Sequence, residues 1–350
     1  MSRNISANVT SGTYFCRFYL RLVNLPSGNN QIFAMRNASA GNNLTVSVLT
    51  TGVLRLTNGI SGLSTTGVEV LSTGVWYRIE VRYLISDTVG ELELRLFSGD
   101  STTALETLLR TGEDTLATNF VEIAWTSSGV THEYYFDDLA INDATGSFQT
   151  SWIGPGKIAL IEPASDTSIT WEDDDLLAAA TFANINELPG TPDDAAYNTE
   201  IVLLNSIDRF GVSALPAEVP SDADMILLDA YARVGSNQAA AATSRLIVWD
   251  EGGTPTNGPN VSSINGWRIL SIGPTNEHQV FDLGTRTPAN VNSFSLGYEN
   301  ITDLATRPRR ISTLWANVEW IEAAAAAVTL DMWEARIMRP ERIPYGIVSY

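Results

Sequence analysis

Runs of alternating apolar and polar residues, each closed by Gly, Asn, Ser, Thr or Pro, recur along the whole chain. A period of two sends successive side chains to opposite faces of an extended strand. A chain written this way builds half-buried strands and, at this spacing of turns, sandwiches or barrels. The strand candidates of the first half are 13–23, 31–36, 44–49, 53–57, 68–71, 75–85, 90–97, 119–125 and 133–142. Those of the second half are 157–161, 200–206, 225–234, 244–249, 267–272, 278–282, 291–297 and 311–320. Ala178–Ala180 and Ala323–Ala327 suit a helical turn each, and 319–330 holds good helix formers beside strand-like neighbours.

One hairpin is specified in detail. Tyr77, Ile79, Val81 and Tyr83 share a face, as do Leu92, Leu94 and Leu96. With Ser86–Gly90 as the turn, Val81 falls opposite Leu94 and Ile79 opposite Leu96. The same register sets Arg82 against Glu93 and Glu80 against Arg95, two pairs of opposite charge. These charges read as a solvated strand face.

At 350 residues the chain exceeds one ordinary small core. A boundary is expected near 146–156. Asn142-Asp143-Ala144-Thr145-Gly146 ends one strand, Gly154-Pro155-Gly156 follows, and a new strand begins at Lys157. The expected architecture is all-β, with two antiparallel β-sandwich domains in tandem over 1–148 and 149–350, the second carrying a C-terminal extension.

The net charge of −19 repels phosphate backbones and excludes nucleic acid as a ready partner. No apolar run approaches the roughly 20 residues of a membrane span, and Met1–Ser6 lacks the apolar core of a signal peptide. Cys16 is the only cysteine, which rules out an intrachain disulfide, and it reads as a buried, inert thiol. Synthesis in a reducing cytoplasm follows as an expectation. Lys157 is the only lysine.

Chemistry-bearing patterns are sparse. His132 and His278 fall in different expected domains and read as strand or surface residues. No HExxH, CxxC, GxGxxG, P-loop or GxSxG pattern occurs. Glu172-Asp173-Asp174-Asp175 has the charge for a hard cation, but consecutive carboxylates do not converge as six to eight oxygen ligands must. It reads as a solvated loop, and Asp137-Asp138 as residues alternating between two faces. No catalytic residue, cofactor or metal is expected. Among nine tryptophans, Trp76, Trp125, Trp249 and Trp320 read as core or sheet-face residues. Trp152, Trp171 and Trp267 lie near loops or strand starts, where an exposed ring stacks on a sugar or anchors an interface.

Glu133-Tyr134-Tyr135-Phe136-Asp137-Asp138-Leu139-Ala140-Ile141-Asn142-Asp143-Ala144-Thr145-Gly146-Ser147 resembles a recurrent "YIDDIYVND-TGS" strand of tailed-bacteriophage virion proteins. There the strand closes a concanavalin-like (laminin-G-like) jelly-roll sandwich. Thr73–Val81 is similar to its "W-IE" strand, Glu162–Trp171 to a following "P-SD-S-WT" stretch, and Met225–Arg233 to a "VNAYARK" strand of a second domain. The order is preserved over roughly residues 70–320, as judged by motif.

The resemblance implies a structural protein on the outer surface of a phage particle, as capsid decoration or tail component. Other virion proteins would be its partners and host-surface glycan a further one. No family catalytic residue exists to carry over. Such chains open with an extra "DGFD"-like strand, so the first sandwich here is expected either to lack an edge strand, exposing that of Tyr14–Leu22, or to receive one from a neighbour. The apolar stretch Met338–Tyr350, including Tyr345 and Tyr350, either folds back as a strand of its own domain or docks on another subunit or the particle shell, and with that edge it points to a homo-oligomer. The alternative is a carbohydrate-binding, lectin-like module.

Overall fold

β-branched and aromatic residues in alternation produce strands over nearly all of the described chain. The computed structural model describes residues 2–322 apart from 10–11, 38–40, 116–117, 124–129, 145–149, 173–178, 188–194, 201–204, 237–242, 259, 263–265, 272–279 and 302–308. The strands before residue 144 are β1 (Ser2–Val9), β2 (Gly12–Leu22), β3 (Asn30–Arg36), β4 (Asn42–Val48), β5 (Val53–Asn58), β6 (Ser64–Val70), β7 (Trp76–Ser98), β8 (Glu106–Thr115), β9 (Thr118–Ile123) and β10 (Tyr134–Asp143). They form sheet A, in the order β1-β9-β3-β4-β5-β6, and sheet B, in the order β10-β2-β7-β8.

Inward side chains of the two sheets share one core. Cys16, Phe18, Leu20 and Leu22 of β2 and Leu92, Leu94 and Leu96 of β7 meet Ile32, Met35, Leu44, Val46, Leu54 and Leu56 of sheet A. Phe18 stacks on Phe33 with ring centroids 5.4 Å apart. Each such side chain contributes about 1.5–3 kcal/mol by leaving water.

The hairpin has the expected register. Strand β7 doubles back at Ser86, whose hydroxyl accepts the N–H groups of Thr88 and Val89. Its first limb pairs with β2 and its second with β8. The Gly99 N–H reaches the Trp76 carbonyl, and Arg82 Nη2 lies 3.0 Å from Glu93. The expected Glu80–Arg95 ion pair is replaced: Glu80 binds Arg78 and Arg95 binds Glu93, each two residues away on its own limb, at 2.8 Å.

The expected missing edge is corrected. β1 pairs antiparallel with β9, and β2 lies inside its sheet between β10 and β7. The alternation of 12–22 specifies a strand but says nothing of its neighbours, and in Ser2–Val9 the alternation is confined to Ile5, Ala7 and Val9, too brief to mark a strand against its polar surroundings.

The strands after residue 156 are β11 (Lys157–Ile161), β12 (Pro163–Ser168), β13 (Asn198–Glu200), β14 (Ile207–Val212), β15 (Asp224–Ser236), β16 (Thr243–Trp249), β17 (Pro255–Asn257), β18 (Val261–Ser262), β19 (Gly266–Ser271), β20 (Val280–Asp282), β21 (Ser295–Asn300) and β22 (Arg309–Ile321). Sheet C runs β11-β22-β15-β19, with β13 on β22 and β20 on β15. Sheet D runs β12-β14-β21-β16-β17, with β18 on β16. Their common core holds Trp171, Phe210, Leu228, Val248, Leu296, Tyr298, Leu314, Val318 and Trp320. All described strand pairs in both halves are antiparallel, so the chain is an all-β protein of jelly-roll-like sandwiches.

Two local expectations are corrected. The strand expected at 291–297 starts at Ser295, because Pro288–Val291 is a helical turn, α1. Thr287 and Asn290 cap it reciprocally and Pro288 opens it. Ala179 forms a β-bridge to Glu172, not a helical turn. Residues 323–327 lie outside the described residues.

Candidate functional site

The outward face of sheet B carries Phe15, Arg17 and Tyr19 of β2 and Arg78, Glu80, Arg82, Glu93 and Arg95 of β7. The expectation of a solvated charged face is corrected. Arg17, Arg78, Glu80 and Glu93 are all buried. The linker between the two sandwiches and strands β11 and β22 of sheet C meet this face around Arg17, while the loop after β7 holds Arg78 through the Gly99 and Ser101 carbonyls and Arg78 holds Glu80.

Arg17 is the centre of the contact. Its Nη1 lies 2.5 Å from Glu319 Oε1 on β22, and the two side chains are 0% and 6% exposed. Its Nε donates to the carbonyl of Asp138 at 3.2 Å. Gly156 passes so close that a Cβ there would overlap the Arg17 guanidinium and the Glu319 carboxylate. Glycine at 156 is therefore a packing requirement.

Asp138 is the second fastening. β10 is irregular against β2 between Asp137 and Ala140, and Asp138 takes the left-handed φ of 48°. The acidic pair therefore does not alternate between two faces as expected. Asp138 Oδ1 accepts the N–H of Ile158, in the first strand of the second sandwich, at 2.7 Å. Burial pushes its carboxyl up to about 6, helped by Asp137, against the Ile158 hydrogen bond and the charges of Arg17 and Lys157.

Lys157 is the third. Its Nζ lies 3.3 Å from Asp100 Oδ2 of the first sandwich and 2.7 Å from Glu322 Oε1. Partial burial disfavours its charge, but the two carboxylates outweigh this and raise its pKa. Tyr19 donates to Asp100 Oδ1 at 2.5 Å, which ties the same loop to β2.

Trp152, the candidate stacking ring of the linker, is placed in this contact. The Arg95 guanidinium lies 3.8 Å from its ring centroid and that of Arg82 6.0 Å, while Phe15 meets it edge-on at 5.6 Å. The ring is half-buried with these groups against it. Trp171 is 1% exposed in the second core, against Tyr298 at 4.5 Å, and is closed to a ligand. Trp267 lies on β19 opposite Gly235. Tyr345 and Tyr350 lie outside the described residues, as do Asp173–Asp175 and His278.

Cys16 is buried and its thiol is pushed well above the usual range. His132 lies against Tyr134. Among the described residues no group of three His, Cys, Asp or Glu is arranged to hold a metal ion.

A second buried polar cluster pins the segment entering the second core. Asp208 accepts the N–H groups of Thr170 at 2.6 Å and Trp171 at 3.0 Å, and the Tyr298 hydroxyl at 3.2 Å. Asn198 donates to that hydroxyl at 2.8 Å. Burial raises Asp208 to about 6 despite these bonds.

Neither cluster was predicted. The single lysine and the acidic pair of β10 were the available signals, and only three-dimensional contact shows that they meet from opposite sides of one contact. The chemistry of the two clusters is cohesion: each carboxylate is met by a guanidinium, an ammonium or an N–H or O–H donor.

No family model matches the sequence, and no curated protein sequence is significantly similar to it. Among solved structures, a native heptameric SAP-like pentraxin from Limulus polyphemus is similar at 15% identity. The match has a TM-score of 0.30 and covers 40% of this chain and 68% of that one. Mouse laminin alpha1 domains LG4-5 match at 8% identity and TM-score 0.28, covering 90% and 77%. The botulinum neurotoxin serotype C1 binding domain matches at 8% identity and TM-score 0.26, covering 89% and 84%.

Proposed function

We propose that this chain is a non-enzymatic structural protein that works by protein–protein attachment, as an outer-surface component of a tailed-bacteriophage particle. The observation that supports this reading is the clasp of Arg17, Asp138 and Lys157. Buried charges usually mark chemistry. Here they are spent on fixing one sandwich against the other, which suits a rigid load-carrying or spacing element. The acidic surface and the motif order shared with virion proteins support the same reading.

Mass spectrometry of particles purified from the source phage tests it, with sedimentation of the isolated protein for its oligomeric state. The expected result is stoichiometric incorporation at several copies per particle. Absence from purified particles, together with selective binding on a glycan array, would replace this reading with the lectin-like alternative. That alternative has lost Trp171 as an open stacking surface.

A further inference from the structure

We infer that one end of the first sandwich, formed by the loops 23–29, 49–52, 71–75 and 99–105, is the surface through which two copies of this chain join. Strand register brings the four loops together. Asn30 pairs with Val48 and Val53 with Val70, which sets the first loop beside the second and the second beside the third. Arg21 pairs with Trp76, and the Gly99 N–H bonds the Trp76 carbonyl. The third loop therefore ends, and the fourth begins, next to the end of β2.

This end is apolar. Among the described residues, every exposed large apolar side chain belongs to the first sandwich, and Val23, Leu25, Val70, Val75 and Leu105 stand here at 39–54% exposure. They adjoin one another. A Cβ on Gly52 would sit 3.1 Å from Leu25 Cδ2 and 3.3 Å from Val70 Cγ1, so these two side chains flank the same turn. The Gly74 N–H bonds the Leu22 carbonyl, which brings Val75 beside Val23. Scattered single apolar residues need no explanation, but a contiguous group marks a contact.

Charge selects the occupant. The chain carries a net charge of −19, and two copies repel wherever their carboxylates face each other. In a chain that is 17% charged, the four loops hold a single charged residue, Asp100, and Lys157 answers it. The other positions are Gly, Ser, Thr, Asn, Pro, Ala and the apolar residues. Such a surface meets its own copy without a like-charge penalty. Apolar side chains in surroundings depleted of charge are also the composition of an interface core. A two-fold axis through this end sets the same loops of both copies against each other. Contact between copies needs no particle, so purified protein can show it whether or not the phage reading holds.

The test places a photo-crosslinking amino acid at Thr51, an exposed residue of the second loop, in full-length protein mixed as light and heavy isotopic copies. The expected products join position 51 of one label to the four loops of the other. No mixed-label product, or mixed-label products only at other surfaces, overturns the inference. Sedimentation equilibrium is the second measurement, with near-ultraviolet circular dichroism to verify that each variant is folded. Leu25→Asp and Val70→Asp should each raise the dimer dissociation constant roughly a hundredfold or more, because the two-fold axis buries the unpaired carboxylate twice. A parent protein that stays monomeric, or folded variants that associate as tightly as the parent, overturn it.

Discussion

Arg17 and Glu319 are 302 residues apart in sequence and 2.5 Å apart in space, and both are buried. A buried ion pair is a poor source of net stability, because desolvating two charges offsets most of their attraction. Its effect is geometric: only one placement of β22 over β2 pairs both charges. Removing one partner leaves the other charge buried without this counter-charge. Arg17→Met or Glu319→Leu alone should therefore cost about 3–5 kcal/mol. The double variant should cost less than either single change. Urea unfolding followed by tryptophan fluorescence measures this cycle. Additive single effects would show that the two side chains do not act as a pair.

Asp138 sets a pH dependence whose sign is fixed by its environment. Burial holds its carboxyl at about 6 in the folded state, above the ordinary carboxyl value of 3.8. A group raised on folding binds its proton more readily in the native state. Its favourable contribution is thus present at low pH and is lost as pH rises through about 6. Asn keeps the oxygen that accepts the Ile158 N–H and tolerates the left-handed φ. Asp138→Asn should leave stability unchanged near pH 4 and raise it by about 1–2 kcal/mol at pH 8, a figure discounted for partial exposure. Denaturant midpoints across that range give the answer. A variant destabilised at pH 8 would mean that the carboxylate charge itself holds the clasp.

Because Lys157 is the only lysine, the contact between the sandwiches has a simple chemical reporter. A zero-length carbodiimide activates carboxylates and links them to an amine in direct contact. The expected products join Lys157 to Asp100, between sandwiches, and to Glu322, within one. Peptide mapping identifies each. A Lys157–Glu322 link without any Lys157–Asp100 link would place the first sandwich elsewhere. Lys157→Ala should cost under about 1 kcal/mol, since the pair is partly exposed.

The strands were legible where one face is apolar and the other polar, as in β2, β7 and β15. β8, β12 and β14 were not read, for a physical reason. Glu106–Thr115 and Pro163–Ser168 are edge strands with mainly polar, exposed side chains, and Ile207–Val212 interrupts its alternation with Gly211. The register of the β7 hairpin was legible from Arg82 and Glu93, because cross-strand charge is local information. The burial of that same face was not. Whether Arg17 meets water or another sandwich depends on Glu319 of β22, 302 residues away, and no local pattern carries that.

The second cluster yields a prediction that separates hydrogen bonding from packing. Asp208 is the acceptor for two backbone N–H groups and for the Tyr298 hydroxyl, all inside the second core. Asp208→Ala strands those donors away from water and should cost about 3 kcal/mol or more, since several buried groups go unsatisfied at once. Tyr298→Phe keeps the ring against Trp171 and removes only the hydroxyl. Asn198 then loses an acceptor, while the two backbone bonds to Asp208 survive. The cost should be nearer 1–2 kcal/mol. In Asp208→Ala the emission of Trp171 should also shift to the red as water enters beside Thr170, and in Tyr298→Phe it should not. Comparable losses in the two variants would show that the Tyr298 hydroxyl, rather than the grip on residues 170–171, is what Asp208 provides.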